Sequence, residues 1–128
     1  PLHYLVADAS GQSVLVEFYE EEMVLIPSPG GAPWHVATNH LRAPLDDGSP
    51  SRCWRYDVIR RRLATTSGSL TVSDASDLLA DVAQDNTQWS AVYGLGDLSV
   101  HVTMGRNDTK THVFQLGGEL PSPLDRRN

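Results

Sequence analysis

Few residues in this chain could do covalent chemistry, and their spacing narrows the choice. Cys53 is the only thiol, which excludes an internal disulfide framework and any multi-cysteine metal site. Tyr56, Ile59 and Leu63 follow it at helical intervals, so Cys53 reads first as a small packing residue on an apolar stripe. Coupled to a histidine, it would instead be the nucleophile of a small hydrolase. The five histidines show no close metal-ligand spacing. His35 and His40 lie at opposite ends of a strand-loop segment, and His101 and His112 fall on different predicted strands. Asp8 sits in turn chemistry, where an aspartate serves the backbone. Asn39 precedes a loop and could do the same. Arg52 and Arg55 flank Cys53 at a helix start, where a surface or packing role is ordinary.

The elements that must hold these residues can be read from periodicity. Residues 2–8 and 13–19 are apolar and β-branched, and Asp8-Ala9-Ser10-Gly11 between them predicts a β-hairpin. A third strand is expected at 23–27, and Trp34 to Asn39 read as a fourth that runs into a loop rich in Pro, Asp and Gly. From Ser51 the apolar period lengthens to three and four, with Ser49-Pro50 as the expected cap and first turn. This helix should end before Gly68. A second helix is expected from Ser73 as N-cap, with Asp74 and Asp77 in its first turn and Ala75, Leu78, Leu79 and Val82 as its buried stripe. Strands resume at 88–93, 98–104 and 110–116, separated by glycine-containing turns, with Trp89, Tyr93 and Phe114 expected in the core. Runs of strands flanking a central helix pair indicate an α+β fold with largely antiparallel sheet over residues 1–116, followed by a surface tail over 117–128.

Composition bounds the function classes. With 128 residues, 40% hydrophobic and 20% charged, the chain is long enough for a real core and ordinary for a globular domain. Its formal net charge of -6 argues against a nucleic-acid partner, which needs clustered cations. The one basic run, Arg60-Arg61-Arg62, reads as a solvated helix face. No apolar run approaches the roughly 20 residues that span a bilayer, so no membrane partner is expected.

Four segments then occur in a telling order. PLHYLVADASGQSVLVEF, VATNH, SRCWR and NTQWSAVYG together resemble the later part of the choloylglycine hydrolase and penicillin V acylase family, the linear amide C-N hydrolases, and the related acyl-coenzyme A:isopenicillin N acyltransferases. VATNH is similar to the family's Thr-Asn strand end, SRCWR to its Ser-Arg-x-x-Arg helix start, and NTQWSAVYG to its later Thr-x-x-(Ser)-Val-Tyr strand. The segments span nearly everything from Leu2 to Leu116.

This resemblance implies an N-terminal nucleophile hydrolase-like sandwich of two stacked antiparallel sheets between helices, incomplete in this chain. It implies attack on an amide carbonyl by an N-terminal cysteine thiolate, giving an acyl-enzyme that water hydrolyses. By the Thr-Asn match, Asn39 is the expected oxyanion donor. By the Ser-Arg-x-x-Arg match, Arg52 is the arginine that favours thiolate, while the Arg-Tyr pair of the acyltransferase branch favours Arg55. No cofactor is implied, since nucleophile, base and oxyanion donors are all protein groups.

The chain departs from the family in two places. The family's nucleophile would precede Pro1, so the chain is expected to be inactive in isolation. His40-Leu41-Arg42-Ala43-Pro44 replaces the proline-aromatic segment that often follows Thr-Asn, which leaves the acyl and amine groups of the small-molecule amide substrate open. An incomplete sandwich would also leave an apolar sheet face bare, so the expected partners are a second copy of the chain or the missing N-terminal portion. The alternative is a non-catalytic binding or oligomerisation domain derived from the same fold.

Overall fold

Alternating strands and a tight turn build the first unit. A computed structural model describes residues 3–43, 53–106 and 110–117. β1 (His3–Ala7), β2 (Ser13–Tyr19) and β3 (Glu22–Pro27) form an antiparallel meander in the order β1-β2-β3. The Asp8 carboxylate accepts from the Ser10 N–H at 2.8 Å and the Ser10 hydroxyl at 2.6 Å, which sets the first turn. The second turn has only Glu20 and Glu21, both with φ above zero (50° and 66°), the geometry of a type I′ hairpin built without glycine.

Register divides this sheet into two unlike faces. His3, Glu17 and Val24 stand opposite one another, as do Leu5, Leu15 and Ile26. On this face Leu15 and Glu17 are fully buried. Successive residues point to opposite sides, so the other face carries Tyr4, Val6, Val14, Val16, Phe18, Met23, Leu25 and Pro27. It has no charge, and most of it is exposed.

The segment expected as a fourth strand at 34–39 is not one. Residues 32–43 run as an irregular strap past the Leu15 and Glu17 face, with Val36 buried. Its polar links go to sheet side chains instead of a ladder. The Ser13 hydroxyl meets His35 Nδ1 at 3.1 Å, and Glu17 takes the N–H groups of Arg42 and Ala43. Pro33, which has no N–H to give, also disfavours pairing.

α1 (Trp54–Thr65) begins later than expected, and its N-cap is Cys53. The predicted cap Ser49-Pro50 lies outside the described residues. Cys53 is thus at the helix mouth, which corrects its placement on the apolar stripe. Tyr56, Ile59 and Leu63 are half-buried along that stripe, while Arg60, Arg61 and Arg62 are exposed. The helix closes with the Gly68 N–H donating to Leu63 O at 2.8 Å, as expected at this glycine. A side chain at Gly68 would press on Pro33 and Trp34 of the strap at 3.0 Å, so the helix end and the strap fit closely.

α2 (Val72–Asp81) is capped by Thr71, not Ser73. The Asp74 N–H donates to Thr71 Oγ1 and the Thr71 N–H donates to Asp74 Oδ2, each at 3.1 Å, a reciprocal capping box. Leu78 and Val82 are buried and Ala75 and Leu79 half-buried, the stripe predicted from their spacing. The helix packs on β4 (Trp89–Gly94).

With β5 (Ser99–Met104) and β6 (Thr111–Gln115), β4 forms a second antiparallel meander, in the order β4-β5-β6. Ser90, Val92, His101, Thr103 and Val113 face a cleft beside α2. The opposite face carries Trp89, Tyr93, Met104 and Phe114, all exposed. These aromatics are therefore not core, contrary to expectation, although Val100, paired between Tyr93 and Phe114 on the same face, is buried. Two antiparallel three-stranded sheets and two helices make the chain α+β.

Candidate active site

The strap and the first turn of α1 meet at the residues on either side of Asn39. The Thr38 hydroxyl lies 2.9 Å from His40 Nδ1 and also hydrogen-bonds Cys53. The His40 ring stands edge-on to Tyr56 with centroids 5.3 Å apart, and the Arg42 guanidinium sits over the other partner of that contact, 4.9 Å from the Tyr56 centroid. A cation over an aromatic face is an attractive contact. Asn39 itself is exposed, so its amide is presented outward from a strap fixed on both sides.

Glu17 anchors the strap from below. Its carboxylate accepts from the Arg42 N–H at 2.7 Å through both oxygens and from the Ala43 N–H at 2.7 Å, and His3 Nδ1 of β1 is 3.4 Å away. Burying a carboxylate is costly unless donors compensate. Here the backbone N–H groups of Arg42 and Ala43 supply them.

The helix mouth sets the cations Arg42 and Arg55 beside the carboxylates of Glu17 and Asp57. Burial pushes the Cys53 thiol up, but the Thr38 hydroxyl, the backbone N–H groups of Tyr56 and Arg55 and the Arg55 charge outweigh it and leave the thiol below its ordinary value. His35 and His40 are both held below the usual imidazole value, first by burial and then by the nearby Arg42 charge.

Of the expected site residues, Asn39 stands between Thr38 and His40 in the strap and Arg55 between Cys53 and Tyr56 on the helix, the residues through which strap and helix touch. Arg52 lies outside the described residues. Asp8 stays at its hairpin, remote from the cluster in role. The sequence reading gave no site role to Glu17, Thr38 or His40, although Glu17 lies in the first resembling segment and Thr38 in VATNH. For Glu17 the signal was present: it stands two residues from Leu15, in the inward phase of β2, where a carboxylate has to find donors.

The cleft of about 470 Å³ between α2 and the second sheet shares no lining residue with this cluster. It is the space left where α2 covers β4 but not β6, and short side chains such as Ser76, Ala80 and Ala83 line the helix side. The strap and helix mouth bring together a thiol, a guanidinium, an exposed amide and an imidazole, and are the better candidate. Among the described residues no group of three or more His, Cys, Asp or Glu could hold a metal ion, and no helix is long and apolar enough to cross a membrane. Comparison of the chain with protein-family models, with curated proteins and with solved structures finds no match.

Proposed function

We propose that the chain is the C-terminal portion of a cysteine N-terminal nucleophile hydrolase that cleaves or transfers the acyl group of a linear amide, with its nucleophile on polypeptide upstream. The observation that carries this reading is the docking of the Thr38-Asn39-His40 strap on the first turn of α1 through Cys53 and Tyr56. It joins the two segments whose resemblance suggested an oxyanion donor and a thiolate-stabilising arginine. In this reading the Asn39 side-chain N–H donates to the tetrahedral oxyanion, while the Arg55 guanidinium, always protonated, lowers the electrostatic cost of the thiolate. The proton leaving the thiol passes to the nucleophile's own amino group, which returns it to the departing amine.

The test is to purify the native protein, read its N-terminus, and assay it on a panel of N-acyl amides. An upstream processed cysteine is expected, with Asn39→Ala lowering kcat by about 10²–10³ with little change in KM. A native N-terminus at Pro1, or turnover indifferent to Asn39→Ala, would sink the proposal. A second reading, a non-catalytic oligomerisation domain of the same origin, is favoured by the bare apolar faces on both sheets. It requires a stable assembly whose ligand binding is unaffected by Asn39→Ala.

A further inference from the structure

Glu17 is fully buried, yet it belongs to none of the chemical steps above. Its position joins three pieces of chain at one carboxylate: β2, which carries it; β1, through His3; and the strap, through Arg42 and Ala43. The strap forms no ladder with the sheet, and these are the hydrogen bonds that tie its backbone N–H groups near Asn39 to the β2 side chains. The two amides that Glu17 grips lie three and four residues beyond Asn39, on the far side of His40. The ring contact of His40 with Tyr56 and the Arg42 guanidinium over the same ring therefore share an anchor with the Arg42 N–H.

We infer that Glu17 is the positioning residue of the site, fixing where the Asn39 amide points by gripping the backbone of Arg42 and Ala43. This inference rests on the proposed role of Asn39, and it gives a task to a glutamate that belongs to the first resembling segment but had no role assigned there. The carboxylate suits the task because both of its oxygens accept. A glutamine of the same shape would turn one of them into a donor facing a backbone N–H, and the grip would fail without a change in volume. An aspartate keeps two acceptors but is one methylene shorter, too short to span from β2 to both amides.

Two measurements on the intact native protein test this. By amide hydrogen exchange, Glu17→Gln should speed exchange at Arg42 and Ala43 by about a hundredfold while leaving the β2 amides of Val14 and Val16 protected. Equal protection at Arg42 and Ala43 in both proteins would overturn the inference, whatever the activity. In turnover, Glu17→Gln should lower kcat by about tenfold at nearly unchanged KM, and should cause no further loss in an Asn39→Ala background, because it acts through Asn39. Additive losses would overturn it. Where Glu17→Gln loses the β2 protection as well, and so fails to fold, Glu17→Asp is read instead, with the same expectations at smaller amplitude. If the unaltered protein turns over no amide, the hydrolase reading fails by itself, and the exchange experiment still decides whether Glu17 holds the strap.

Discussion

The uncharged outer faces of the two sheets should make this 128-residue chain self-associate, and the size of the effect follows from exposure. Tyr4, Val6, Phe18, Met23 and Leu25 on the first sheet and Trp89, Tyr93, Met104 and Phe114 on the second are between 47% and 62% exposed. Fully burying such a side chain contributes about 1.5–3 kcal/mol, so covering the exposed half contributes about 1 kcal/mol each. The two faces together hold about 10 kcal/mol per chain, as much as the whole stability of a typical domain. A pair of chains covering each other's faces would gain about 20 kcal/mol, against an association cost of about 4–15 kcal/mol. What remains, about 5–16 kcal/mol, corresponds to a dissociation constant of about 0.2 mM or tighter. The perturbation is Phe18→Lys together with Trp89→Lys, which places one charge on each face at positions too exposed to disturb the fold. Sedimentation equilibrium at about 1 mM, above the weakest of those affinities, should show the unaltered chain associated and the double variant shifted toward monomer, with equal far-ultraviolet circular dichroism. A monomeric unaltered chain that also leaves a hydrophobic dye dark would refute the reasoning.

Other perturbations probe the helix mouth and the hairpins. Thr38→Val removes a hydroxyl that favours the Cys53 thiolate, so alkylation of Cys53 at neutral pH should slow by about threefold or more, the loss of one charge-assisted hydrogen bond at a partly exposed site; unchanged labelling would remove Thr38 from the account. His35 and His40 titrate below the ordinary value of 6.5 because of burial and the Arg42 charge, although Glu17 and Asp57 pull His40 the other way. The unfolded chain therefore takes up protons first. Stability should be fully present above pH 6.5 and decline as pH falls through the lower folded values, and His40→Gln should flatten that decline in urea titrations. Replacing Glu20-Glu21 by Asn-Gly relieves two left-handed residues that have side chains and should raise the unfolding free energy by about 1–2 kcal/mol. Leu15→Ala, at a fully buried position, should lower it by about 2–5 kcal/mol.

Elements that depend on near neighbours were legible in the sequence. The six observed strands fall where alternation and turn residues put them, because a hairpin's register is set by a few residues of turn and a period of two. The stripe of α2 followed from its spacing for the same reason. Caps were less legible: Thr71 and Ser73 are both good N-caps, and only the reciprocal bonds with Asp74 choose between them. The strap at 34–39 has the composition of a strand, and it is not one because its partners lie on distant residues. Ser13 and Glu17 are 22 and 25 positions away from the groups they bind.

By itself the sequence determined the α+β class, the two meanders and the helix pair between them, and it singled out Asn39, Arg52 and Arg55 through ordered segments that resemble an amidase. Only the tertiary structure decided that the strap around Asn39 touches the helix start beside Arg55, that Cys53 stands at a helix N-terminus instead of in a core, and that Trp89, Tyr93 and Phe114 are exposed. It also gave Glu17 its task. Periodicity fixes which side of a strand a residue faces, but whether anything covers that side depends on contacts between segments far apart in the chain.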